Sequence, residues 1–165
     1  MTPFRTIVVA TDFSETAREA LRTALEISRT SGAHLHIVNV VPDPMQQPWM
    51  VEAAGVDWAN LRKEWMDASR AQMEELMRTM QLREGEVVTV VVPGRPAHEL
   101  VSYAERHGAD LIVMGTHGYG AVRRFLLGSV ADQVLRQATC PVLVVPHRAV
   151  KEQAGSGAAE ASAVR

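Results

Sequence analysis

Five short apolar runs recur along the chain, separated by longer stretches in which polar and apolar residues are mixed. The runs span residues 6–10, 35–41, 87–92, 111–114 and 142–145, and each is rich in valine or isoleucine. Continuous apolar runs of this length, without polar alternation, are typical of strands that are covered on both faces. The pattern therefore predicts five buried β-strands.

The stretches between the runs have helical periodicity. Ser14 is the expected N-cap of the first helix, with Glu15 in its first turn. Its apolar positions fall on one face: Ala17, Ala20, Leu21, Ala24 and Leu25. The second pattern covers residues 57–82, and we interpret its large apolar side chains as core packing: Trp58, Leu61, Trp65, Met73, Leu76, Met77 and Met80.

Two further helices complete the alternation. The third begins at Pro96, which suits a first helical turn, and ends near Gly108; the fourth begins at Ser129 and stops before Pro141. Strands and helices that alternate in this way form an α/β fold, a parallel sheet with helices on both faces. Such sheets bind ligands beyond the carboxyl ends of their strands, where the strand order reverses.

Composition narrows the class of protein. The 165 residues are 47% apolar and 22% charged, with a formal net charge of −2, which does not favour a nucleic-acid binder. The apolar runs are too short for a signal peptide or a membrane span, so we expect a cytoplasmic protein. The single cysteine, Cys140, is interpreted as a small buried hydrophobe. Residues 42–55 are expected at the surface, and the tail from about 148 is expected to be disordered.

A glycine-bearing loop follows the fourth run. Gly115-Thr116-His117-Gly118 is followed, after nine residues, by Gly128-Ser129 and the predicted fourth helix. Glycines permit close backbone approach, and the free N–H groups of a helix start attract anions. The order of strand, glycine loop and helix start predicts a phosphate site, and hence nucleotide binding.

Asp12 directly follows the first strand and would share a cleft with the glycine loop if the two strands are neighbours. Its carboxylate could accept hydrogen bonds from a ribose or help to hold a metal near phosphates. The alternative is that Asp12 only helps to cap the first helix. Position alone does not separate these two roles.

Better-known phosphate and catalytic motifs do not fit. A P-loop would need lysine where Ala121 follows Gly120, and a dinucleotide fingerprint would need glycine at Arg123. Neither a Gly-x-Ser-x-Gly elbow nor a His-Glu-x-x-His pair occurs in the sequence. Hydrolase and zinc-protease interpretations therefore lack support.

The spacing Gly-x2-Gly-x9-Gly-Ser resembles the nucleotide-binding motif of the universal stress protein family. The likeness covers about residues 3–147 and is carried by five segments, residues 10–14, 94–96, 109–118, 127–131 and 140–145. It implies one domain over residues 1–147 and a Rossmann-like five-stranded parallel sheet of order 3-2-1-4-5, similar to the adenine-nucleotide alpha-hydrolases.

The resemblance also implies where a nucleotide would bind. Adenosine would lie across the carboxyl ends of the first, second and fourth strands, against Ala10, Thr11, Asp12, Val40, Met114 and Gly115. The phosphates would lie among Gly118, Gly128, Ser129 and Val130. His117 and Arg123 are further candidates in the same loop, and the adjacent Arg124 is an alternative to Arg123.

Two other patterns can be explained without a ligand, and these alternatives stay open. Ser129 and Asp132 have the spacing of a capping box and could serve the helix alone. His34 and His36 would share one face of the second strand, but two histidines without a third ligand are a weak metal signal.

The resemblance implies a cytoplasmic stress-response protein that binds ATP, with Mg²⁺, and dimerises through the strand Val142–Val145. An apolar edge strand needs a covering partner, which also favours a dimer. Two alternatives remain: a slow ATPase of the same fold, because no placed general base accompanies the loop, and a nucleotide-free dimeric scaffold.

Overall fold

A computed structural model describes residues 4–43, 55, 57–116 and 127–146. The elements within these ranges follow the predicted order and differ from the predicted bounds by only a few residues. They are β1 (Thr6–Ala10), α1 (Glu15–Ser31), β2 (His34–Pro42), α2 (Trp58–Thr79), β3 (Val88–Gly94), α3 (Pro96–Arg106), β4 (Leu111–Gly115), α4 (Ser129–Gln137) and β5 (Val142–Val145).

The five strands form one sheet in the order β3-β2-β1-β4-β5, and all neighbouring strands run parallel. The expected α/β fold and strand order are thereby confirmed. The chain passes from β1 to β2 on one side of β1, and it later returns to β4 on the other side. The carboxyl ends of β1 and β4 therefore flank the point where the strand order reverses, which is where such sheets bind ligands.

Apolar side chains leave the sheet on both faces and form two cores. Ile7 and Val9 of β1 pack with α1 and α2, whereas Val8 between them packs with α3 and α4. All three side chains are fully buried. Because successive residues of a strand point to opposite faces, a strand covered on both sides must be apolar throughout.

The large apolar residues of α2 divide into two groups, and the prediction that all of them pack in the core is only partly right. Met73 and Leu76 are buried, and Met77 and Met80 pack partly buried against the same core. Trp58, Leu61 and Trp65 are half-buried. The first half of α2 reaches past the core, and Trp65 lines a cavity instead.

The helix ends follow local rules. Ser14 caps α1 as predicted, because its Oγ accepts a hydrogen bond from the Ala17 N–H at 3.2 Å. At the other ends of α1, α2 and α3, Gly32, Gln81 and Gly108 have φ of 73°, 54° and 59°. At each of these helix ends, the left-handed residue turns the chain out of the helix and toward the next strand.

β5 lies at one edge of the sheet, and all four of its side chains are half-buried. Cys140, just before this strand, is also half-buried and packs against the core under α3 and α4. The prediction that Cys140 is buried is therefore only partly right, although its partial burial raises the pKa of the thiol, as expected for a small hydrophobe. None of the helices in the described residues is long and apolar enough to cross a membrane.

Candidate functional site

A cavity of about 860 Å³ opens at the carboxyl ends of β1, β2 and β4. Its walls come from residues 10–13, 38–42, 114–116 and 128–131, with α1, α2 and α3 contributing Ala17, Trp65, Ala68, Ser69, Gln72, Pro96 and Leu100. This volume lies in the range of small-molecule sites, roughly 300–1,000 Å³.

Nine of the residues predicted to bind nucleotide line this one cavity: Ala10, Thr11, Asp12, Val40, Met114, Gly115, Gly128, Ser129 and Val130. They come from four separate segments of the chain, which the sheet brings together. The remaining three, His117, Gly118 and Arg123, lie outside the described residues, as does Arg124. Contacts of any of these residues with a ligand stay a prediction.

The turn after β1 places Asp12 in the wall of the cavity. Asp12 Oδ1 accepts a hydrogen bond from the Ser14 N–H at 3.0 Å, and Thr11 Oγ1 accepts one from the Phe13 N–H at 3.0 Å. Phe13 has φ of 65°, which is uncommon for a residue with a side chain. Asp12 thus shapes the turn before α1, while the N-cap itself is Ser14.

Asn39 is a site residue that sequence reasoning missed. It is 6% exposed, and its Nδ2 donates a hydrogen bond to the Thr11 carbonyl at 2.7 Å. Its Oδ1 accepts a hydrogen bond from the Ser69 hydroxyl of α2. The signal was present in the sequence, because Asn39 is a polar residue inside the apolar run 35–41.

The first turn of α4 faces the same cavity, and its backbone N–H groups have no partner within the helix. Gly128 is the N-cap, and none of the described side chains caps this end. Ser129 is the first helical residue and is exposed. A helix start of this kind presents N–H groups and the positive end of the helix dipole, both of which favour an anion.

The capping-box alternative for Ser129 and Asp132 is wrong. Ser129 lies one position inside the helix, so its hydroxyl does not occupy the cap position. The Asp132 carboxylate instead pairs with the Arg136 guanidinium one turn later, at 3.0 Å and 3.2 Å. Ser129 is therefore not engaged in the cap that its spacing suggested.

Gly115 has a packing role that its sequence context did not indicate. A Cβ at this position would lie 2.7 Å from Thr16 Cγ2 and 3.2 Å from the Thr16 carbonyl carbon. Contacts under 3.0 Å require a neighbour to move, so the missing side chain lets α1 pack closely on β4. Gly115 lines the cavity, but the close approach is between two elements of the protein itself.

The paired histidines of β2 belong to another part of the molecule. His36 Nδ1 is 2.8 Å from the Tyr103 hydroxyl of α3, and the His107 ring stacks on Tyr103 with a centroid distance of 3.9 Å. Burial lowers the pKa of His36, with smaller contributions from His107 and His34. No three metal-ligating side chains form a group able to hold a metal in the part of the chain that the structure describes.

The fold and the cavity define a class of protein. A parallel sheet with helices on both faces, a ligand-sized cavity where the strand order reverses, and a helix start in the cavity wall are the features of α/β ligand-binding domains. Comparisons with known proteins agree with this assignment.

The model of the universal stress protein family matches residues 3–146. A universal stress protein of Thermus aquaticus, encoded in the 3′ region of a QAH/OAS sulfhydrylase, is 36% identical over 145 residues, which cover 86% of this chain and 98% of that protein. The chain belongs to the universal stress protein family.

Solved structures show the same fold. Universal stress protein UspA from Lactobacillus plantarum superposes with a TM-score of 0.72 at 27% identity, over 88% of this chain and 99% of that one. A universal stress protein in complex with cAMP has a TM-score of 0.55 at 30% identity, over 87% of this chain and 97% of that one. A protein similar to this chain thus binds an adenine nucleotide.

Proposed function

We propose that this protein binds an adenine nucleotide, ATP with Mg²⁺, in the cavity at the carboxyl ends of β1, β2 and β4. The observation that carries the proposal is that the Asp12 carboxylate and the free start of α4 lie in the walls of one cavity. One of these groups suits a ribose or a cation, and the other suits phosphate.

The walls between these two groups suit an adenosine. Ala10, Val40 and Met114 give the cavity an apolar lining, and such surface favours a planar base. Ser129 adds a hydroxyl beside the backbone N–H groups of α4, where it can donate to a phosphate oxygen. The cAMP complex of a family member supports the same class of ligand.

The Asp12 carboxylate fits Mg²⁺, which prefers oxygen ligands and is often held by one or two carboxylates together with phosphates. Bound there, Mg²⁺ would offset the negative charge of the phosphates.

The remaining part of the proposal is that the protein forms a dimer through the half-buried edge strand Val142–Val145 and acts as a nucleotide-responsive stress protein in the cytoplasm.

Calorimetric titration of Mg·ATP, and in parallel of cAMP, into the purified protein tests the proposal. We expect Asp12→Asn to weaken Mg·ATP binding about tenfold, because a charged ligand group is lost. Asp132→Asn is the matched control: Asp132 pairs with Arg136 and does not line the cavity, so its affinity should match wild type. Gly115 is a poor test position, because any side chain there collides with Thr16.

Nucleotide-free wild-type protein that binds neither ligand would contradict the proposal and favour the scaffold alternative. Phosphate release measured in the same samples separates binding from slow ATPase activity. Sedimentation of the same protein tests the dimer, and a monomer at all assay concentrations contradicts that part.

A further inference from the structure

Asn39 is a polar residue in the middle of a buried strand, where an unpaired amide would be costly. Both ends of its side-chain amide are hydrogen-bonded. Nδ2 donates to the Thr11 carbonyl at 2.7 Å, and Oδ1 accepts from the Ser69 hydroxyl. Ser69 is itself 6% exposed, so the pair is buried between β2 and α2, in the wall of the cavity.

The chemistry of these groups fixes the direction of each bond. A backbone carbonyl only accepts, so the Asn39 NH₂ group must face Thr11. The amide oxygen then faces Ser69, whose hydroxyl must donate. Because a hydroxyl can donate or accept, the Thr11 carbonyl fixes the orientation of the amide, and the Ser69 hydroxyl anchors its other end.

The Thr11 carbonyl belongs to the planar peptide group that joins Thr11 to Asp12, so a hydrogen bond to this carbonyl also acts on the plane of that group. The same residue closes the strand, because the Thr11 N–H donates to the Val38 carbonyl at 2.9 Å. Beyond it the chain enters the turn in which Phe13 takes φ of 65°. A conformation of this kind persists only where the surrounding structure holds it.

We propose that Asn39, anchored by Ser69, is a positioning residue that holds the Thr11–Asp12 peptide plane and thereby places the Asp12 carboxylate in the cavity. Its consequence for ligand binding rests on the nucleotide site proposed above. Its consequence for the turn does not, because the hydrogen bonds of Phe13 and Ser14 can be followed in the protein without ligand.

Ser69→Ala removes the hydroxyl that anchors the Asn39 amide oxygen and keeps most of the buried volume. The matched control is Ser28→Ala, which also removes one serine hydroxyl bond, to the Ala33 carbonyl at 2.7 Å, away from the cavity. We expect Ser69→Ala to weaken Mg·ATP binding about three- to tenfold, whereas Ser28→Ala should stay within about twofold of wild type. Equal affinities for the two variants would overturn the proposal.

A double-mutant cycle separates positioning from general damage. If Ser69 acts through Asp12, adding Ser69→Ala to Asp12→Asn should weaken binding by less than about twofold more. Fully additive losses would mean that Ser69 acts elsewhere. Should Ser69→Ala fail to fold, Ser69→Cys keeps the side-chain shape and weakens only the donor.

Amide hydrogen exchange of the ligand-free protein provides a second readout. In Ser69→Ala the amides of Phe13 and Ser14 should exchange faster than the lost global stability explains, and in Ser28→Ala they should not. Unchanged protection of both amides overturns the inference. If wild-type protein binds no nucleotide, the proposed function fails while this exchange comparison still decides the role of Asn39.

Discussion

The two ends of the sheet use polar groups in different ways. At the amino ends, Asp110 Oδ2 accepts hydrogen bonds from the N–H groups of Arg5 and Thr6, at 2.7 Å and 2.9 Å, and joins the start of β4 to the start of β1. At the carboxyl ends, Asn39 and Thr11 hold a turn whose next residue, Asp12, faces a cavity.

The helices add to this difference, because they begin at the carboxyl ends of the strands, and the left-handed residues that end α1, α2 and α3 lie near the amino ends. At the amino ends, the carboxylate of Asp110 binds the backbone of the neighbouring strand. At the carboxyl ends, the carboxylate of Asp12 and the start of α4 lie in the wall of a cavity. We therefore expect the hydrogen bonds at the amino end to serve stability alone. Those at the carboxyl end should also set the geometry of the proposed site.

The largest effect is expected where the carboxyl end is most tightly packed. Gly115→Ala should lower the free energy of unfolding by about 1–3 kcal/mol, because the new methyl group meets Thr16 Cγ2 at 2.7 Å. Urea denaturation measures the loss. Adding Thr16→Ser, which removes that methyl group, should restore part of the stability. A fully stable Gly115→Ala protein that loses ligand binding would instead assign the glycine to ligand approach.

At the amino end, Asp110→Ala should cost about 1–2 kcal/mol, since two backbone N–H groups lose a charged acceptor. Asp132→Ala, which loses a surface pair with Arg136, is the control and should leave stability close to that of wild type. Nucleotide binding should be unchanged in Asp110→Ala. A loss of affinity without a loss of stability would contradict the division between the two ends.

The Asp110 carboxylate should also make the stability of the protein sensitive to acid. Hydrogen bonds from Thr6 and Arg5 lower the pKa of Asp110 below its ordinary value of 3.8. The unfolded chain therefore takes up its proton first, so this stabilisation is complete above pH 3.8 and is lost as the pH falls through the lowered pKa. Denaturation midpoints of wild type and Asp110→Ala should converge below that pH, and a constant difference would count against the assignment.

A smaller change, a gain in the free energy of unfolding, is expected from a substitution at the end of α2. Gln81 and Gly108 occupy the same position of the same motif, because the next residue, Leu82 or Ala109, donates back to the carbonyl of Met77 or Ala104 at 2.9 Å. Gln81→Gly should stabilise the protein by about 0.5 kcal/mol, since glycine takes positive φ without strain. Gly108→Ala should act in the opposite direction, and equal signs for the two changes would contradict this account.

The smallest effect concerns His36, also at the amino end. Burial, then His107 and His34, lower the pKa of His36 below 6.5, so the unfolded chain binds the proton more readily. Stability should be complete above pH 6.5 and should decline as the pH falls through the lowered pKa. The melting temperature of His36→Gln should depend less on pH over this range than that of wild type. His98→Gln, at an exposed position, should keep the pH dependence of wild type.

Much of the fold and part of the site follow from the sequence. The apolar residues of the run 111–114 alone predict a buried strand, and the place of Ser14 before an amphipathic pattern predicts a helix cap; both predictions are confirmed. Glycine spacing pointed to the segments that line the cavity. These features depend on residues close together in the chain, whose periodicity and backbone preferences act locally.

Only the tertiary structure decided which distant residues meet. The pairing of Asn39 with Ser69 spans 30 positions and that of Asp110 with Arg5 spans 105, so neither has a local signal of its partner. The clash that keeps Gly115 free of a side chain comes from Thr16 of α1, which is distant in the chain. Periodicity determines which face of an element is buried, but contacts across elements depend on how the packed helices and strands are placed in space.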